Sequence, residues 1–173
     1  MFEKTCADTP PALIDGSCDL GFTYRQAWDA SKFEVKRLCN VPLVPVAAPE
    51  HAGLDLTLKG QTIDLPLIVD EPDSEFRRLS ENYLEEHNIV YDEAIEMWSV
   101  QALKCCVSSG MGFTVLPNFV VQDDIAKGSL VPLRWNPSCD SVPIFSVRKR
   151  THYVTASMRL FSQIAEAHLA SKN

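Results

Sequence analysis

Gln101-Ala-Leu-Lys-Cys-Cys-Val-Ser-Ser-Gly-Met-Gly-Phe-Thr-Val-Leu-Pro-Asn-Phe-Val-Val (101–121) decides the architecture of this chain. Val100, Leu103 and Val107 recur at helical spacing, and Gly110 stands where a C-terminal cap falls. The apolar run 113–116 has the length of a buried strand. Pro117 comes next, where only the first turn of a helix tolerates it, so it opens another helix. Helix, glycine turn, strand and helix in that order make an αβα unit of a wound sheet.

The same alternation runs outward in both directions. Residues 2–7 predict a strand, followed by a short helix with Thr9 as N-cap, Pro10 and Pro11 in its first turn, and Gly16 at its end. A buried strand follows at 18–24, then a polar loop, then a broken β pattern over 33–48 interrupted by Pro42 and Pro45. Another strand is expected at 65–69, and Asp73 caps a helix whose Phe76, Leu79 and Tyr83 share one face. A strand at 93–98 leads to Ser99, placed as the N-cap of the helix in the opening stretch. After that stretch come a helix ending at Gly128, a strand at 130–135, a turn-rich linker at 136–141 and a strand at 142–147. Thr155 begins a last helix carrying Leu160, Phe161, Ile164 and Leu169. The fold class is therefore α/β with mostly parallel sheet.

Bulk properties narrow the function. At 173 residues the chain holds one large domain or two small ones, and 46% apolar with 23% charged residues is ordinary for a soluble globular protein. A net charge of −7 argues against a nucleic-acid surface, and Arg148-Lys149-Arg150 is too short a basic run to reverse it. No stretch reaches the roughly 18 apolar residues of a membrane span, and no signal-peptide pattern opens the chain, so a cytoplasmic protein is expected. The six cysteines include no CxxC pair and no histidine at metal spacing, which predicts free thiols and no metal. Cys105 and Cys106 diverge by about 100° on a helix, with Cys106 on the apolar side, and read as structural. His51, His87, His152 and His168 are scattered, and Asp123–Asp124 and Glu85–Glu86 look like solvated helix faces. No nucleophile, base and oxyanion donor assemble, so no catalytic residue and no cofactor are expected. Gly110 and Gly112 lack the third glycine and the context of a dinucleotide site.

Several pieces in a fixed order resemble one family. "ALIDGSCDLGF" (12–22) is similar to a helix-turn-strand, "LVPVAAPEH" (43–51) to a first crossover, and "SVQALKCCVSSGMGFTVLP" (99–117) to a helix-turn-strand-helix. "LVPLRW" (130–135) with "VPIFSVRKR" (142–150) is similar to a second crossover. All four occur in the effector-binding region of LysR-type transcriptional regulators. The resemblance implies a type II periplasmic-binding-protein-like fold: two βαβ subdomains joined by two crossover strands, with a small effector in the cleft between them. Subdomain I would take residues 1–46 and 144–173, and subdomain II 47–143.

Against that family, the N-terminal winged helix-turn-helix is absent, so this chain should not read DNA. The first strand and first long helix of the effector region are also absent, which would leave the first subdomain incomplete. That would expose unpaired strand edges, which a truncation or a second chain would account for. The resemblance places effector contacts at Thr23 and Tyr24, at Asp73 and Ser74, at Trp98 and Ser99, and at Phe113. Helix N-termini there favour an anionic effector. Ser99 can cap and donate at once, while Trp98 and Phe113 fit either core or an apolar pocket wall. Relatives pair through this region, so a homo-oligomer, dimer or tetramer, is expected. The expected function is ligand sensing for a transcription factor. A solute-binding protein of the same fold serving transport is the alternative, disfavoured by the missing export signal and the unpaired cysteines. An enzyme on this fold stands third.

Overall fold

The computed structural model describes residues 8–24, 27–72, 74–137, 140–151 and 153–170. The strand expected at 2–7 and the expected cap and effector contact Asp73 lie outside the described residues. In chain order the elements begin with α1 (Thr9–Asp15), β1 (Gly21–Thr23), β2 (Phe33–Ala47) and a 3-10 turn at Pro49–His51. Next come β3 (Thr62–Ile63), β4 (Leu67–Val69), α2 (Glu75–Glu86), β5 (Val90–Tyr91), β6 (Ala94–Glu96) and α3 (Val100–Ser108). The series closes with β7 (Phe113–Pro117), α4 (Asn118–Ala126), β8 (Val131–Pro132), β9 (Ser141–Lys149) and α5 (Ala156–Ala170). Two compact units divide the chain. Unit 1 takes residues up to Val41 and from Val142 onward, and unit 2 takes residues 42–141.

In unit 2, β4 pairs in parallel with β6 on one side and β7 on the other. The second half of β2 runs antiparallel to β7 and also carries the short β8. Strand side chains alternate faces, and the two cores record that alternation. Leu67, Val69, Phe113 and Ala47 pack with Tyr83 and Leu84 of α2 on one face. Ile68, Leu116 and Val46 pack with Leu103 and Val107 of α3 and Val121 of α4 on the other. Leu103 and Val107 are fully buried, worth about 1.5–3 kcal/mol each. Val100, expected in the same stripe, is exposed instead. The Tyr83 hydroxyl donates to the Leu56 carbonyl at 3.0 Å and accepts from Asn136 N–H at 3.0 Å, which ties two loops to α2.

The glycine turn between α3 and β7 is made by close approach. Gly110 has φ 82°, in the left-handed region, and a Cβ there would collide with the Glu50 carboxylate. His51 Nε2 bonds the Gly110 carbonyl at 3.2 Å, so the 3-10 turn clasps the end of α3. A Cβ at Gly112 would run into the Pro66 carbonyl, because β7 starts hard against β4, with Phe113 N–H donating to that same oxygen at 3.1 Å.

In unit 1, β1 pairs antiparallel with β9, and β9 lies between β1 and β2. Leu13 of α1 packs with Val147 and Phe33 against one face, with Trp28 edge-on to Phe33 at 5.0 Å. On α5, Met158 is buried, and Phe161 meets Phe22 edge-to-face at 5.7 Å.

Four local expectations are corrected. The cap of α1 is Asp8, one residue before Thr9. The cap of α2 is Ser74, whose Oγ accepts from Phe76 N–H at 3.2 Å. Pro117 ends β7, opposite Leu43, and caps α4 from outside its first turn. The pattern over 33–48 is one continuous strand despite Pro42 and Pro45. Pro45 still accepts from Leu133 N–H at 2.8 Å, so a residue without a donor stays in the ladder through its carbonyl.

Candidate functional site

The parallel arrangement of β4, β6 and β7 puts their C-terminal ends on one edge of unit 2. From that edge α2, α3 and α4 depart, each beginning within a few residues of its strand. The helix following β4 crosses one face of the sheet, and the helix following β7 crosses the other. Loops that part in this way leave a crevice at the strand ends, the position where open α/β sheets bind ligands. A narrow gap lies there, too tight to admit a water molecule, lined by Asp70, Arg77, Ser80, Thr114, Val115 and Leu116.

Its polar groups are tightly organised. Asp70 is the first residue beyond β4, and its Oδ2 accepts from the Ser74 hydroxyl at 2.6 Å. Burial pushes the Asp70 carboxyl above the ordinary aspartate range, while the Ser74 bond pulls the other way. Arg77, on the first turns of α2, donates from Nε to Glu81 at 2.9 Å and from Nη1 to Glu96 at 3.1 Å. Those carboxylates, Glu81 foremost, raise its already high value. The Ser80 hydroxyl donates back to the Phe76 carbonyl at 2.7 Å and so belongs to the helix. The backbone amides opening α2 and α3 point to the same edge.

The residues singled out from the sequence distribute unevenly around this edge. Ser74 borders it, but its side chain is buried and its hydroxyl is already committed as both cap and donor. Trp98 and Ser99 lie at the neighbouring strand end. Trp98 is 72% exposed, so it is not core, and the Ser99 hydroxyl accepts from Ala102 N–H at 3.4 Å as the cap of α3. Phe113 sits at the opposite, N-terminal end of β7, fully buried beside Leu67. It is a core residue, at the end of the strand opposite the candidate site. Thr23 and Tyr24 belong to unit 1, where Thr23 is buried at the end of β1 and Tyr24 is half-buried just beyond it.

Asp70 and Arg77 were not singled out. Asp70 carried a usable signal as the first charge after the apolar Leu67-Ile68-Val69 run. Among the described residues no His, Cys, Asp and Glu gather into a group that could hold a metal ion. Cys105 is an exposed free thiol and Cys106 a half-buried one packed against the core. No helix of the described residues is long and apolar enough to cross a membrane.

Comparison with known proteins adds four relations. The family described as the LysR substrate binding domain matches residues 1–170. The uncharacterized HTH-type transcriptional regulator YfiE of Escherichia coli K12 is 28% identical over 155 residues, covering 90% of this chain and 53% of its own length. The chain thus spans about half the length of this relative. The regulatory domain of HypT from Salmonella typhimurium, in its apo form, superposes with a TM-score of 0.77 at 19% identity, covering 97% of this chain and 80% of that one. The CcmR regulatory domain of Synechocystis PCC6803, in complex with 2-PG, superposes at 0.73 with 18% identity, covering 92% and 77% respectively.

Proposed function

The chain belongs to the LysR substrate-binding domain family, and on that premise we propose that it is the ligand-sensing part of a bacterial transcription regulator. It holds a small effector at the strand-end edge of unit 2. The observation that supports this most is the switch point between β4 and β7, whose following helices cross opposite faces of the sheet, with Asp70 and Arg77 at the strand ends. An anionic effector is favoured by the amides opening α3. Arg77 is engaged by two carboxylates, so main-chain donors rather than a side-chain cation carry the negative charge. Ser99 adds a hydroxyl at that helix start and Trp98 an exposed ring beside it. Ser74 acts indirectly, by holding Asp70. In unit 1 the corresponding effector residues are Thr23 and Tyr24, at the C-terminal end of β1. Effector binding favours one of two arrangements of the regulator's subunits, which form a homo-oligomer. DNA recognition in this reading belongs to parts of the regulator other than this chain.

Calorimetric titration with a panel of small carboxylates and phosphates tests the proposal. One class should bind saturably, and Ser99→Ala should weaken it by about 0.5–1.5 kcal/mol through loss of one hydroxyl donor. Binding indifferent to both Ser99→Ala and Trp98→Ala would remove the α3 start from the site.

A further inference from the structure

Unit 1 carries a groove of about 370 Å³ between α5 and the sheet face made by β9 and the first half of β2. It lies wholly within unit 1, apart from the strand-end edge of unit 2, and the proposed function makes no use of it. Its charges are unevenly matched. Lys36 pairs with Glu166 at 2.7 Å, and Arg148 pairs with Glu34. The lining cations Lys36, Arg148 and Arg159 therefore exceed the lining carboxylates Glu34 and Glu166 by one. Arg159 is the cation left over, since its guanidinium has no partner among the described residues.

A second observation comes from the floor of the groove. Ser146 is only 8% exposed, and its hydroxyl has no hydrogen-bond partner among the described residues. Among the described residues no fully enclosed side-chain nitrogen or oxygen lacks a partner, so the Ser146 oxygen keeps its access to the groove. A hydroxyl so deeply placed is satisfied only by what enters there. On the facing side of α5, Ser162 offers another hydroxyl, likewise without a partner among the described residues. Met158 and Val154 supply an apolar wall between these donors.

We propose that this groove is a second small-molecule site, specific for a small monocarboxylate. The surplus positive charge, on the exposed Arg159, favours a ligand of charge −1. The carboxylate oxygens accept from the Arg159 guanidinium and from the Ser146 and Ser162 hydroxyls, and a short alkyl body lies against Met158 and Val154. The volume sits at the lower end of the roughly 300–1,000 Å³ of small-molecule pockets, which suits a ligand of few heavy atoms. A bound carboxylate joins α5 to β9.

Butyrate titrated into the ¹⁵N-labelled chain tests this, with uncharged butyramide as control and backbone amide shifts as readout. Saturable shifts are expected at Ser146, Arg159 and Ser162, with none from butyramide. Arg159→Gln should raise the Kd about tenfold through loss of a charge-assisted bond, and Arg159→Lys should restore most of that loss. Ser146→Ala, which removes the floor hydroxyl, should weaken binding severalfold. Any of three results overturns the proposal: no saturable shift in these amides at millimolar butyrate, equal shifts from butyramide, or an unchanged Kd in Arg159→Gln. Shifts confined to residues 70–77 and 97–103 would assign butyrate to the strand-end edge instead, leaving that reading intact and this one refuted.

Discussion

Arg77 on α2 donates to Glu96, the last residue of β6, across 3.1 Å. The bond fixes the start of α2 to the end of a strand 19 residues later, so the rim of the candidate site is held by a side-chain tie as well as by the sheet. Glu81 orients the same guanidinium from one turn further along α2.

Arg77→Met should therefore loosen the rim more than it destabilises the core. Arg77 keeps 21% of its side chain exposed, so the cost should stay near 1 kcal/mol. Urea denaturation gives that number, and hydrogen exchange should show faster opening of the first turn of α2. A loss above about 3 kcal/mol would mean the pair behaves as a buried one.

Asp70 makes the stability of the fold depend on pH. Burial raises its carboxyl value in the folded state, so folding favours the neutral form. The stability it contributes is complete below the ordinary unfolded value of about 3.9 and is lost as pH rises through the raised folded value. Asp70→Asn, whose carbonyl can still accept from Ser74, should be more stable than the parent chain at pH 7. That advantage should fade as pH falls toward about 4. Denaturation midpoints at several pH values decide it. An advantage independent of pH would show that the Asp70 charge carries no penalty.

Gly112→Ala should cost about 1–3 kcal/mol, because the added methyl meets the Pro66 carbonyl, a backbone atom that cannot swing away. Gly53→Ala, where a Cβ meets nothing within 4 Å, is the matched control and should be near neutral. Thermal melts of the two variants side by side measure the contrast.

How much was legible in the sequence depends on the range of the interaction. The Ser99 cap and the Thr155 cap, whose Oγ1 accepts from Met158 N–H at 3.2 Å, are local devices that a short polar residue before an apolar pattern announces. β2 was less legible. Pro42 and Pro45 look like breaks, and only pairing with β7 and the Leu133 donor makes one strand of them. Phe113 reads equally as core or pocket wall in sequence, and only the sheet shows it as a buried first residue of β7. The tie between Arg77 and Glu96 obeys no period at all, and so it emerges only with the sheet.

Ser99→Ala separates cap from contact. Its hydroxyl is exposed and its bond to Ala102 N–H is long, so stability should fall by about 0.5–1 kcal/mol. A stability loss without loss of effector affinity would leave Ser99 a cap alone.

The central claim is that unit 2 takes its effector at the ends of β4, β6 and β7. Backbone amide shifts of the ¹⁵N-labelled chain, followed through titration with the tightest-binding member of the carboxylate and phosphate panel, test it most directly. The largest unit 2 shifts should fall at residues 70–77, 97–103 and 114–119. Saturable binding whose unit 2 shifts fall instead at the opposite strand ends, around Pro66 and Phe113, would contradict it.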